Sequence, residues 1–244
     1  MPAMPERGSI VSQLVLPLRL ADHAVFATFL NTGNEALVGL LTDLARPDTP
    51  GGNGCWLWGA VSTGKTHLLQ AACECADQRA VYLPMRLLRD AGPGVLEGLA
   101  SRDLVCIDDI EQIVGDDVWE RALFTLCNDI TEADGRLIVA ASASPRGCPI
   151  MLPDLQSRLS RLPTFHLRPL AEADRVTALQ LRARHRGLDL PSGTARYLLS
   201  RSRRDMGSLY SLLDKLDLEA LRAKRRLTIP FVRDVMMDSD TPSR

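Results

Sequence analysis

Residues 56–67 constrain this chain more than any other stretch. A short apolar run, Trp56-Leu57-Trp58, leads into Gly59-Ala60-Val61-Ser62-Thr63-Gly64-Lys65-Thr66, and a helical pattern follows from His67 to Ala72. The eight middle residues fit G-x-x-x-x-G-K-[ST]. Strand, glycine-rich loop and helix is the order such a segment needs to hold phosphate. Gly59 and Gly64 let the backbone curl so that several N–H groups point at one anion. The helix starting near Lys65 adds its positive end. Lys65 is placed to reach the β- and γ-phosphates of a nucleotide, and the Thr66 hydroxyl to ligate Mg²⁺. A chance Lys-Thr pair after a glycine-rich turn would lack these flanks.

A second landmark is Leu104-Val105-Cys106-Ile107-Asp108-Asp109. Four apolar residues running into two carboxylates read as a buried parallel strand whose acids lie at its C-terminal end. In an open α/β sheet that end faces the ligand crevice. Asp108 is the candidate for the Mg²⁺ shell, and Asp109 for orienting an attacking water. Another buried strand, Gly135–Ser142, ends in small polar residues, which makes Ser142 or Ser144 a weaker candidate for touching a γ-phosphate or its water. Arg158 and Arg161 stand three apart after Pro153, so they share a helix face. Without further context such a pair is usually just solvated.

The 244 residues suffice for one large domain or a domain with a smaller companion. A net charge of −1 supplies no global field for nucleic acid. No run of about 18 apolar residues is present to span a membrane. The start, Met1–Gly8, has neither a basic nor an apolar signal region, so a cytoplasmic location is expected. The six cysteines lack zinc-finger spacing and read as reduced, mostly buried thiols.

Taken in order, residues 9–20 are apolar, with Gln13-Leu14-Val15-Leu16-Pro17-Leu18 at their centre. They suit either an edge strand or an extended peptide that docks in a groove. Asn34 reads as an N-cap for a helix over 35–46. Strands are expected at 55–58, 80–84, 104–107, 135–142 and 164–167. Helices are expected at 65–76 and 116–131, and residues 85–99 carry a Gly-Pro-Gly break. After Pro169 the strands stop. Helical patterns occupy 171–185, 191–202, 206–223 and 230–237, a shift from α/β to all-α.

This sequence of motifs resembles the AAA+ ATPases and, within them, the DnaA subgroup, in particular its homologues that inactivate the replication initiator. The most specific pieces are Gln13–Leu18, Leu104–Glu120, Leu152–Leu159, Ala178–Arg184 and Leu227–Val232. The resemblance implies a three-layer α/β/α core with a five-stranded parallel sheet over 21–168, preceded by a tail over 1–20 and followed by a small all-α lid over 169–244. It implies that Gln13, Leu14, Leu16, Pro17 and Leu18 dock on the DNA polymerase sliding clamp. It implies that Arg158 is an arginine finger, acting across a subunit interface on a neighbour's nucleotide. The chain itself is then expected to bind ADP or ATP with Mg²⁺ and to stimulate ATP hydrolysis by the DnaA initiator. It would reach DNA only through the clamp, because no DNA-reading module fits between the lid and Arg244.

Two departures from the family pattern stand out. Gly207 occupies the place of the usual lid arginine, with Arg203 or Arg204 as substitutes. Leu159–Pro163 lacks the aromatic-containing run usual after the finger. Two other readings remain beside the adaptor: a self-sufficient AAA+ motor or loader, and a small-molecule P-loop kinase. The C-terminal helical block disfavours the kinase, and Gln13–Leu18 favours the adaptor.

Overall fold

The computed structural model describes residues 24–46, 52–201, 206–223 and 225–239. The Gln13–Leu18 segment, Arg203, Arg204 and Lys224 lie outside the described residues. Five parallel strands, β1 (Gly54–Trp58), β2 (Ala80–Pro84), β3 (Leu104–Asp108), β4 (Arg136–Ala141) and β5 (Thr164–His166), form one sheet in the order β2-β3-β4-β1-β5. Helices α1 (Glu35–Leu44), α2 (Lys65–Ala76), α3 (Met85–Leu88), α4 (Asp117–Glu132) and α5 (Pro153–Leu159) accompany it.

The strands alternate strictly between two cores. Cys55, Leu57, Leu104, Cys106, Ile138 and Ala140 face α1 and α2. Trp56, Val105, Ile107, Leu137, Val139 and Ala141 face α4 and α5. Burial on both faces explains why these segments read as unbroken apolar runs instead of alternating ones. The central strand β4 is buried at every position but its first. Each side chain fully removed from water contributes roughly 1.5–3 kcal/mol.

After β5 come α6 (Glu172–His185), α7 (Ser192–Arg201), α8 (Met206–Ala223) and α9 (Ile229–Ser239), which enclose a third core around Leu179, Leu198, Leu213, Leu216 and Val232. The helical region therefore has its own interior. No described helix is long and apolar enough to cross a membrane.

One expectation needs correction. Asn34 does not cap α1 with its side chain. Its amide instead grips the backbone of Arg168, accepting from the N–H at 3.0 Å and donating to the carbonyl at 3.3 Å. It ties α1 to the strand that leads into the helical region, a pairing made across 134 positions. The segment after β2 follows its Gly-Pro-Gly break. It contains the four-residue α3 and then 3-10 turns at Arg89–Ala91, Pro93–Leu96 and Leu99–Ser101. Gly92 takes φ +82°, outside the helical region, so the chain must turn there.

Candidate nucleotide site and arginine cleft

The phosphate loop leaves the carboxyl end of β1. Gly59 N–H donates to Ala141 O at 3.2 Å, which anchors the loop to the end of β4. Both motif glycines are required by close approach. A Cβ on Gly59 would lie 2.7 Å from Leu167 O, and one on Gly64 would lie 2.7 Å from the Phe29 ring, where φ is also +103°. Gly64 precedes α2 and offers no side-chain cap, so the positive end of a twelve-residue helix faces the loop. Between the glycines, Ser62 adopts φ 62°. The Thr63 hydroxyl donates to Ala60 O at 2.9 Å and braces the turn. Val61 projects at 86% exposure.

Lys65 is folded back into this turn. Its buried ammonium donates to Gly59 O at 2.8 Å and to Ala60 O at 3.0 Å. The charge is satisfied by loop carbonyls, ready to be exchanged for an anion placed over the loop. Thr66 points the other way, and its hydroxyl donates to Asp108 Oδ2 at 2.7 Å. The loop and the acidic strand, separated on the sheet by β4, thus meet through one short bond. The exposed Ser142 follows the last residue of β4, whose carbonyl anchors Gly59.

Asp108 is only 2% exposed. Burial raises its pKa above the usual carboxylate value, and the bonds from Thr66 and Tyr82 oppose that shift. Tyr82, from β2, donates to Asp108 Oδ2 at 2.8 Å. Burial first, and then the Asp108 charge, hold the phenol well above its usual range, so it remains a donor. Tyr82 belongs to no motif. Its role depends on β2 pairing with β3, which sets Tyr82 opposite Cys106 and Pro84 opposite Asp108. Asp109 adopts the left-handed region at φ 53° and forms an ion pair with Arg86 at 3.1 Å. Its carboxylate therefore already has a cationic partner.

The donor set fits a nucleotide with Mg²⁺ on its phosphate side. A hydroxyl and a carboxylate are oxygen ligands that suit this hard cation. The side of the loop that faces α8 is tight. Phe29, Gly64, His67, Met206 and Tyr210 line a cavity of about 30 Å³ between the loop and α8. His67 lies 3.0 Å from Val25 O with Nε2 donating, and burial lowers its pKa below the ordinary imidazole value. Gly207 supplies no cation here. The buried Arg182 packs over the Tyr210 ring at 4.4 Å and lies 3.6 Å from Asp214, which also pairs with Arg186.

Arg158 sits at the other end of the sheet. It lines a cleft of about 330 Å³ together with Asn53, Gly135, Leu137, Arg161 and Pro163. Asn53, Gly135 and Pro163 immediately precede β1, β4 and β5, so the cleft opens at the amino ends of the strands. With a five-residue strand between them, the cleft and the phosphate loop are about 15 Å apart at a rise of ~3.3 Å per residue. Arg158 donates to the Thr131 hydroxyl at 3.1 Å and stands 5.9 Å from the Phe124 ring centroid. Both partners belong to α4.

A third residue of α4, Glu120, holds the approach to α5. Its carboxylate is fully buried and accepts from Gly115 N at 2.7 Å, Met151 N at 2.9 Å and Leu152 N at 2.6 Å. Three backbone donors compensate one buried charge. At sequence level Glu120 reads as an ordinary polar position of an amphipathic helix, because its partners lie up to 32 positions away.

Comparison with solved structures places this architecture. Domain III of the Thermotoga maritima replication initiation protein DnaA matches with a TM-score of 0.72 and 19% identity, over 91% of this chain and 99% of that one. AMPPCP-bound DnaA from Aquifex aeolicus matches at 0.60 and 21%, over 82% and 67%. The RuvB Holliday junction branch migration motor of Thermotoga maritima matches at 0.61 and 16%, over 86% and 69%. At these identities the likeness is one of fold. A parallel sheet carrying a phosphate loop and followed by a helical region is the AAA+ fold of these DnaA and RuvB structures. The helical region narrows this further. Residues 172–236 match the family model described as Hda, lid domain. In this region the chain is similar to the lid domain of Hda.

Proposed function

We propose that this chain is an adenine-nucleotide-binding regulator that brings Arg158 to ATP held by a DnaA-type initiator, and so drives the initiator into its ADP form. The observation that carries this reading is the separation between the phosphate loop and Arg158. A guanidinium at the amino ends of the strands lies beyond reach of nucleotide at their carboxyl ends. Among the described residues it has no carboxylate partner, and it lines an open cleft. Such a group suits a neighbour's nucleotide, and a finger in trans accelerates hydrolysis by about 10³–10⁵.

In its own site the chain would hold ADP or ATP through Gly59, Ala60, Val61, Ser62, Thr63, Gly64 and Lys65. Thr66 and Asp108 would ligate Mg²⁺, which neutralises phosphate charge when bound. The AMPPCP carried by the Aquifex DnaA supports this assignment. A cavity of about 30 Å³ has room for about one water, so a purine enters only as Phe29 or the lid shifts. Gln13–Leu18 would dock on the sliding clamp and keep the regulator near DNA. The alternative is a self-sufficient motor, favoured by the intact Thr66–Asp108 pair.

A reconstituted hydrolysis assay with initiator, DNA-loaded clamp and this protein separates the two. The regulator reading expects slow turnover by the chain alone, strong stimulation of the initiator, and loss of that stimulation in Arg158→Ala. Fast turnover by the isolated chain, indifferent to Arg158, would establish the motor. Gln13→Ala with Leu16→Ala is expected to abolish retention on the clamp in a pull-down while leaving the melting temperature unchanged.

A further inference from the structure

We propose that Arg161 is a second cation of the Arg158 cleft, and that the two guanidiniums together bind the phosphate chain of a partner's nucleotide. The inference rests on the regulator reading and adds a residue to it. The chain turns once more after α5, with Arg161 N–H donating to Arg158 O at 3.2 Å, and both arginines line the same cleft of about 330 Å³.

Placement distinguishes this pair: among the described residues other exposed arginines, such as Arg89, Arg146 and Arg196, also form no ion pair, but Arg158 and Arg161 share one cleft. Arg79, Arg86, Arg121 and Arg222 each pair with an acid at 2.8–3.3 Å. Among the described residues Arg158 has only a neutral hydroxyl and a ring. The Arg161 side chain makes no hydrogen bond or ion pair among the described residues, and no carboxylate lines the cleft. Two like charges one helical turn apart repel by a few tenths of a kcal/mol. An anion between them converts that repulsion into attraction. The cleft wall of Ile130, Leu137 and Leu159 is apolar, which strengthens the attraction by excluding water.

The anion has two sources on a partner, a nucleotide phosphate or a carboxylate side chain, and kinetics separates them. A phosphate contact strengthens as charge develops, so its loss lowers the maximal rate; a docking carboxylate sets only the concentration required. In the reconstituted assay, Arg161→Ala is expected to lower the maximal stimulated rate about tenfold with little change in the half-saturating concentration. Arg161→Lys is expected to recover part of that loss, because charge is restored without the planar fork. Arg161 is exposed, so both variants should melt as the parent does.

An unchanged maximal rate in Arg161→Ala overturns the proposal, whether or not the half-saturating concentration moves. If Arg158→Ala is equally without effect, it is the regulator reading that fails. If Arg158→Ala alone abolishes stimulation, that reading stands and only the role of Arg161 falls.

Discussion

The two ends of the sheet are built on opposite principles. At the carboxyl end charge is internally matched: Lys65 lies on loop carbonyls, Asp108 accepts from Thr66 and Tyr82, and Asp109 pairs with Arg86. At the amino end two arginines line an open cleft with no acid among its walls. The first end is organised before any ligand arrives. The second is completed from outside. This contrast is the basis of the proposal that the chain acts on another molecule's phosphates.

If the ends are as separate as this contrast implies, mutations should sort cleanly between them. The largest effect belongs to Arg158→Ala, expected to lower stimulated hydrolysis by about 10³ or more, while this chain's own nucleotide affinity, measured by calorimetry, stays as it was. Loss of both would show that the ends are coupled. Lys65→Ala is expected to weaken that affinity by about a hundredfold through loss of a charge-assisted contact. How far stimulation falls in the same variant measures how strongly the carboxyl end controls the cleft.

Glu120→Ala sharpens the comparison from within the scaffold. It leaves the N–H groups of Gly115, Met151 and Leu152 without their acceptor and should lower stability by about 3 kcal/mol in urea unfolding. Little destabilisation would mean that the α5 approach holds its place by apolar packing alone.

The smallest effect is one of pH, at the lid-facing side of the loop. Burial favours neutral His67 in the folded chain, whereas the unfolded chain takes up a proton near its ordinary pKa of 6.5. Stability is therefore complete above about pH 6.5 and declines as pH falls toward the lowered folded value. His67→Gln should flatten that decline in thermal melts across the same range. An equally steep decline in the variant would assign it to other groups.

Legibility in the sequence followed the distance over which residues cooperate. The β1–loop–α2 unit was readable because its eight motif residues are contiguous and its two glycines are held to fixed positions. Helices α4, α6 and α8 were readable from apolar period, since their burial repeats every turn. Tyr82 and Glu120 were not, because neither a tyrosine in a strand nor a glutamate in an amphipathic helix announces a distant partner. Asn34 was misjudged for the same reason: its local context is that of a helix cap, and a backbone 134 positions away won the amide.

The sequence by itself determined the phosphate loop, the acidic strand, the parallel core and the change to an all-helical region. These are written in local composition and period, where each residue's surroundings are set by its neighbours in the chain. Only the tertiary structure decided that Thr66 and Tyr82 share one oxygen of Asp108, and that Arg158 and Arg161 open onto the far side of the sheet. Strand order and pairing register bring such groups together or hold them apart, and those arise from the packing of two cores against one sheet.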